Sequence, residues 1–177
     1  MAALLAHVSY ELTMDDIHAF NRHYGAESGV VKSSRMKVRL AMTFFLAALL
    51  GALGWGAHAG LGFWLVGTLI LLAWYALFPR RIESMNRSFT ERTYASGKNV
   101  GLLGSHTVEL TEEGVVERTP VRELKVKWQA VERVASSEQH LFIWTSGFNA
   151  LVVPRRAFES EDALKAFAAH AAMRIAP

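Results

Sequence analysis

Residues 40–79 read LAMTFFLAALLGALGWGAHAGLGFWLVGTLILLAWYALFP, a stretch without a single Asp, Glu, Lys or Arg. At roughly 40 residues it is twice the ~20 that carry a helix once across a bilayer. Two apolar runs flank the small, Gly-rich segment Gly54-Trp55-Gly56-Ala57-His58-Ala59-Gly60. The block therefore predicts a transmembrane helical hairpin. A buried hairpin of a soluble protein would need a fold that encloses two helices apolar on every face, and 177 residues leave too little chain for it. A cleaved signal peptide fits worse, because the block begins after Arg39 and is too long for an h-region.

The charges around the block orient it. Lys32, Arg35, Lys37 and Arg39 crowd the approach to the first run, Arg80 and Arg81 follow the second, and the intervening turn has no basic residue. By the positive-inside rule both ends face the cytoplasm and the turn faces outward. Trp55 and Trp64 near the turn, and Trp74 and Tyr75 near the other end, fall where amphipathic rings sit at the two interfaces. Within the first run Ala48, Ala52 and Gly56 recur every four residues, a small-residue ridge expected to pack on the second run. Gly51, Gly54, Gly62 and Gly67 are spread over several faces and specify no one partner, which leaves a homo-oligomer open.

Outside the block the chain has soluble patterning, divided as 1–39, 80–100 and 101–177. His7–Thr13 alternates, with Val8, Tyr10 and Leu12 on one face, the period of a half-buried strand. Thr13-Met14-Asp15-Asp16 is a helix start with acids in the first turn, and Ile17, Phe20 and Tyr24 give the helix an apolar stripe. After Pro79, Ile82, Met85 and Phe89 predict a connecting helix ending near Gly97. Six short strands follow, over 105–110, 115–119, 121–128, 131–136, 140–145 and 150–153, with Thr111-Glu112-Glu113-Gly114 as a hairpin loop. Ser160-Glu161-Asp162 caps a last helix whose stripe is Leu164, Phe167, Ala168 and Ala171. The fold class is α+β: a transmembrane hairpin plus a small, strongly bent antiparallel sheet closed by a C-terminal helix. The lone strand at 7–13 has no local partner and is expected to add to that sheet.

Several function classes lose support. The net charge of +3 would suggest nucleic acid if the basic residues clustered on the soluble part, but many of them flank the hairpin, so no nucleic-acid partner is expected. With no cysteine there is no disulfide, thiolate nucleophile or Cys-based metal site. His18 and His23 are five apart, a spacing that does not put two ligands on one helix face, and the other histidines fall in separate elements. No phosphate-cradling Gly loop follows a strand into a helix, and no G-x-S-x-G elbow is present. Neither a catalytic residue nor a cofactor or metal site is expected, and the reading is not an enzyme. Trp128, Trp144, Pro154 and Phe158 are expected to pack the core of the small domain. Arg155-Arg156 is the one basic pair there suited to a headgroup phosphate or an acidic partner, with pairing to the acids at 159–162 as the competing role.

Four segments carry a family resemblance: Val108-Glu109-Leu110-Thr111-Glu112-Glu113-Gly114-Val115; Val126-Lys127-Trp128 leading to Val131 and Val134; His140-Leu141-Phe142-Ile143-Trp144; and Ala150-Leu151-Val152-Val153-Pro154-Arg155-Arg156-Ala157-Phe158. They resemble the YcxB-like family of bacterial membrane proteins. The resemblance implies a pleckstrin-homology-like cytoplasmic domain anchored in the bacterial inner membrane, and transfers no catalytic residue. The expected role is a non-enzymatic membrane module that binds another protein, with a headgroup sensor as the alternative. The lipid bilayer is its other expected partner.

Overall fold

The computed structural model describes residues 3–95 and 101–175. The chain forms two compact units, Gly25–Arg92 and the pair of segments Met1–Tyr24 with Thr93–Pro177. The first segment supplies β1 (Leu4–Leu12) and most of α1 (Met14–Glu27). After the helical unit come β2 (Gly104–Thr111), β3 (Gly114–Thr119), β4 (Arg122–Lys127), β5 (Arg133–Ser136), β6 (His140–Ser146), β7 (Asn149–Pro154) and α4 (Glu161–Ala172). All six sequence-predicted strands are present.

The strands form two antiparallel sheets, β1-β2-β3-β4 and β5-β6-β7, where a single bent sheet was expected. The break falls at Trp128–Ala130, which winds into a 3₁₀ turn. There the Trp128 indole turns inward and its Nε1 donates to the Thr111 carbonyl at 2.9 Å. β1 pairs with β2 from Leu4↔Thr111 to Leu12↔Gly104, so a strand from one side of the helical block completes a sheet from the other. Val8, Tyr10 and Leu12 point inward with His106, Val108 and Leu110 of β2. β6 is buried along both faces from His140 to Trp144. One face lies under α1, with Phe20 5.6 Å from the Trp144 ring and His23 4.5 Å from that of Phe142. Leu141 and Ile143 share one core with Val108, Leu110 and Val115, and Phe167 and Ala171 of α4 join it.

Gly114, at the start of β3, allows the close approach of the end of β4. A Cβ there would lie 2.0 Å from the Val126 carbonyl oxygen and 2.8 Å from the Lys127 Cα.

The second unit is built from α2 (Gly29–Gly56) and α3 (Leu61–Ala95). Ser28 caps α2 by accepting from the Val31 N–H, and His58, at φ 49°, turns the chain in the left-handed region. Both helices are long and apolar enough to cross a membrane, and only 6% of the apolar window of each is buried. The core helix of a soluble protein would be mostly covered. Phe44, Phe45, Leu69 and Leu72 project outward, as lipid-facing side chains do.

The packing seam differs from the expected ridge. Ala48, Ala52 and Gly56 are exposed, while Thr43, Ala47, Leu50 and Gly54 lie along the partly covered side of α2. Gly54 decides the rotation, because a Cβ on it would come within 2.7 Å of Phe63 and 2.8 Å of Trp64. Gly67, Leu71, Trp74 and Phe78 form the covered side of α3, at the three- and four-residue steps of left-handed packing. Residues 80–95, within the stretch 80–100 where a connecting helix was expected, are helical as the continuation of α3. α3 runs unbroken through Pro79 to Ala95, and residues 96–100 lie outside the described chain.

Candidate functional site

The first turn of α1 follows β1 directly, which puts Asp16 over the start of β6 and the end of β7. Asp16 as a residue is 1% exposed. Oδ2 accepts from the Thr13 backbone N–H and from Thr13 Oγ1, both at 2.8 Å, so Asp16 closes the helix start from inside. Oδ1 meets His140 Nε2 at 2.8 Å. Arg156, from the 3₁₀ turn after β7, adds a two-armed clamp: Nη1 donates to Oδ1 at 2.8 Å and Nη2 to Oδ2 at 2.5 Å. Nη2 also donates to the Glu11 carbonyl at 2.8 Å. Burial alone would raise the Asp16 pKa, but the bonds from Arg156, Thr13 and His140 outweigh it and hold the carboxyl well below the usual carboxylate range.

Beside this clamp lies an open groove of about 740 Å³, bordered by Asp15, Arg22, Gln139, Arg155 and Glu159. Arg155 Nη2 donates to Glu161 Oε2 at 2.9 Å. The groove lining thus holds both acids and bases. The one hydroxyl in the lining, Ser160, caps α4 by accepting from the Ala163 N–H at 3.1 Å. The contacts of Asp16 and Glu11 with His140 and Arg156 tie β1 and α1 to the second sheet. Among the described residues no three His, Asp or Glu side chains gather as a metal site.

A second polar cluster sits inside the four-stranded sheet. His106 Nδ1 meets Glu117 Oε1 at 3.1 Å, and Arg122 Nη2 donates to Oε2 at 2.9 Å from the surface. Burial works against the charge on Glu117, yet the His106 bond and the charges of His106 and Arg122 bring its pKa down. The Tyr10 ring stacks on His106 at 5.8 Å, and its hydroxyl, buried without a hydrogen-bond partner, is pushed above the ordinary tyrosine range by burial and then by Glu117 and Asp16.

The residues singled out in the sequence separate into three groups. Trp128, Trp144 and Pro154 are buried, and the half-buried Phe158 packs edge-on against Phe167 at 5.4 Å. Arg155 and Arg156 share the groove, but each guanidinium already holds a carboxylate. Of the flanking cations, Lys32, Arg35 and Arg39 converge on a cavity of the helical unit, whereas Lys37, Arg80 and Arg81 lie outside it. Sequence reading missed Asp16 and His140, which are 124 residues apart. The Thr13-x-x-Asp16 spacing was the available signal for one half of the pair; nothing local marked His140.

No curated protein and no solved structure matches the chain. The family model described as YcxB-like protein matches residues 110–171, from Leu110 in β2 to Ala171 in the last turn of α4, so the similarity covers the segment that builds β3 to β7 and about two thirds of the groove lining.

Proposed function

We propose that the chain is a membrane-anchored, non-enzymatic module whose α+β domain binds another protein on the cytoplasmic side. The family resemblance, which implies a pleckstrin-homology-like domain, supports the reading. The observation that carries it is the groove, whose rim mixes Asp15, Glu159 and Glu161 with Arg22, Arg155 and Arg156. Such a rim suits a polypeptide, which offers both signs of charge and backbone donors and acceptors. A headgroup phosphate asks for uncommitted cations, and both candidate arginines already hold carboxylates. Edge pairing is the weaker route, since the outer strand β4 presents Arg122, Glu123, Lys125 and Lys127, the kind of charged edge that discourages added strands.

The test places a photo-crosslinking side chain at Gln139, at Glu159 and, as a control on the β4 edge, at Lys125, in the full chain in its own membrane. A shared protein adduct from Gln139 and Glu159, absent from Lys125, is expected. Lipid adducts alone would favour the headgroup alternative, and an adduct only from Lys125 would favour edge pairing. Orientation is read separately, with single cysteines at Ser9, Ala57 and Ser136. An impermeant reagent on intact cells is expected to label only Ala57; labelling of Ser9 or Ser136 instead would reverse the topology.

A further inference from the structure

The helical unit carries a second candidate site near Pro79. Lys32, Arg35 and Arg39 follow one another at steps of three and four on α2, which puts them on one helical face. With Gly25, Met36, Phe78, Pro79 and Ile82 they line a cavity of about 330 Å³. No carboxylate is in that lining, in contrast to the groove beside Asp16. Arg35 lies over Gly25 so closely that a Cβ there would be 2.9 Å from its Nη2. Arg39 Nε is buried with no hydrogen-bond partner, although its Nη2 donates to the Tyr75 carbonyl. The remaining wall is apolar, and the exposed Met42 and Leu77 continue that character one turn further along the two helices.

Three cations, no acid and an apolar floor at the end of a membrane span match one chemistry: a phosphodiester joined to an acyl chain. We propose that this cavity binds the phosphate of an anionic phospholipid, with Lys32 and Arg35 on its oxygens and Met36, Phe78 and Ile82 against the glycerol and the first methylenes. The proposal rests on the reading that the helical hairpin crosses a membrane. It differs from general attraction to an anionic surface, which would draw equally on Lys37, Arg80 and Arg81.

Full-length protein is reconstituted into nanodiscs of equimolar phosphatidylglycerol and phosphatidylcholine, and the lipid that stays bound in native mass spectrometry is identified. Retained phosphatidylglycerol in clear excess is expected. The double variant K32Q/R35Q should cut it roughly tenfold. K37Q/R80Q, which removes the same charge outside the cavity, should leave it unchanged. Gly25→Ala, which displaces Arg35 with no change of charge, should lower it too. No preference for phosphatidylglycerol, or equal loss in the two double variants, overturns the site. Displacement of the lipid by millimolar inorganic phosphate or glycerophosphoglycerol would assign the cavity to a soluble phosphate and overturn the lipid assignment. Protein that does not enter nanodiscs at all overturns the membrane reading instead.

Discussion

The Arg39 guanidinium donates through Nη2 to the Tyr75 carbonyl at 2.7 Å while its Cζ sits 3.4 Å from the centre of the Tyr75 ring. That carbonyl is the one Pro79 leaves without an intrahelical donor, since proline has no N–H to return to residue i−4. One side chain of α2 thus repairs the helix defect of α3, which explains how α3 continues through a proline. An unpaired carbonyl at the edge of a bilayer costs about 1–3 kcal/mol. Arg39→Gln should therefore weaken the hairpin by about that much in denaturant titrations of the micellar protein. In a Pro79→Ala background, where the restored backbone N–H takes over, the same change should cost less. Equal costs in the two backgrounds would show that Arg39 acts only through the Tyr75 ring or the cavity.

Acid should destabilise the α+β domain in a way that Asp16 controls. Asp16 and Glu117 both titrate below their ordinary values in the folded state. The native state then binds fewer protons than the unfolded chain around pH ~4, and stability rises with pH across that window. The contribution is complete above the unfolded pKa and is lost as pH falls through the folded one. Asp16→Asn should cost at least about 2 kcal/mol at neutral pH, discounted from the full cost of a broken buried pair because Arg156 is half exposed. It should also flatten the acid limb of a urea-melting series, whereas an unchanged limb would move the linkage to Glu117.

What the sequence revealed follows from the range over which each signal acts. The alternation of Val8, Tyr10 and Leu12 is local, and a strand with no neighbour must find one, so β1 could be assigned to a sheet beyond the helical block. The capping signals of Ser160 and Thr13 are local as well. Pro79 reads locally as a stop, because its rescue by Arg39 comes from the other helix, in a bond that spans 36 residues between Arg39 and Tyr75. The small-residue ridge went astray for a related reason: a four-residue period names a face without saying which ridge meets the opposite helix, and Gly54 against Phe63 and Trp64 settles that. Asp16 looked like one more first-turn acid until the fold brought His140 and Arg156 to it.

Gly114→Ala should be among the most damaging single-methyl additions in the domain. The new Cβ meets backbone, at Val126 and Lys127, so no side-chain rotation relieves it. A loss of about 1–3 kcal/mol is expected by thermal melting, with Gly147→Ala, whose Cβ meets nothing within 4 Å, as the harmless control.

Trp128→Ala should cost about 3–5 kcal/mol, since the indole is 7% exposed within the core. Trp128→Phe separates packing from polarity. It keeps most of the ring volume but leaves the Thr111 carbonyl without the Nε1 donor, and about 1 kcal/mol should be lost. If neither change lowers the melting temperature while crosslinking at the groove disappears, Trp128 belongs to the binding surface.

The discontinuity of the α+β domain makes the strongest claim about how this chain folds. β1 contributes the edge of the four-stranded sheet over the span Leu4↔Thr111 to Leu12↔Gly104, and Arg156 and His140 fasten the residues that follow it. A fragment beginning at Gly101 would expose the inward faces of Val108 and Leu110 and leave the β2 backbone unpaired, an arrangement that favours aggregation. Joining residues 1–25 to 101–177 through a flexible linker in place of the helical unit should restore cooperative melting. Tyr10→Pro in that joined protein should abolish the gain, because proline lacks the ladder donor and is tolerated only where none is needed. Asp16→Asn should reduce the gain without abolishing it, since the strand pairing survives the loss of the clamp. If the fragment from Gly101 melts as cooperatively as the joined protein, β1 adds nothing in cis, and its pairing with β2 would have to be sought between two copies of the chain.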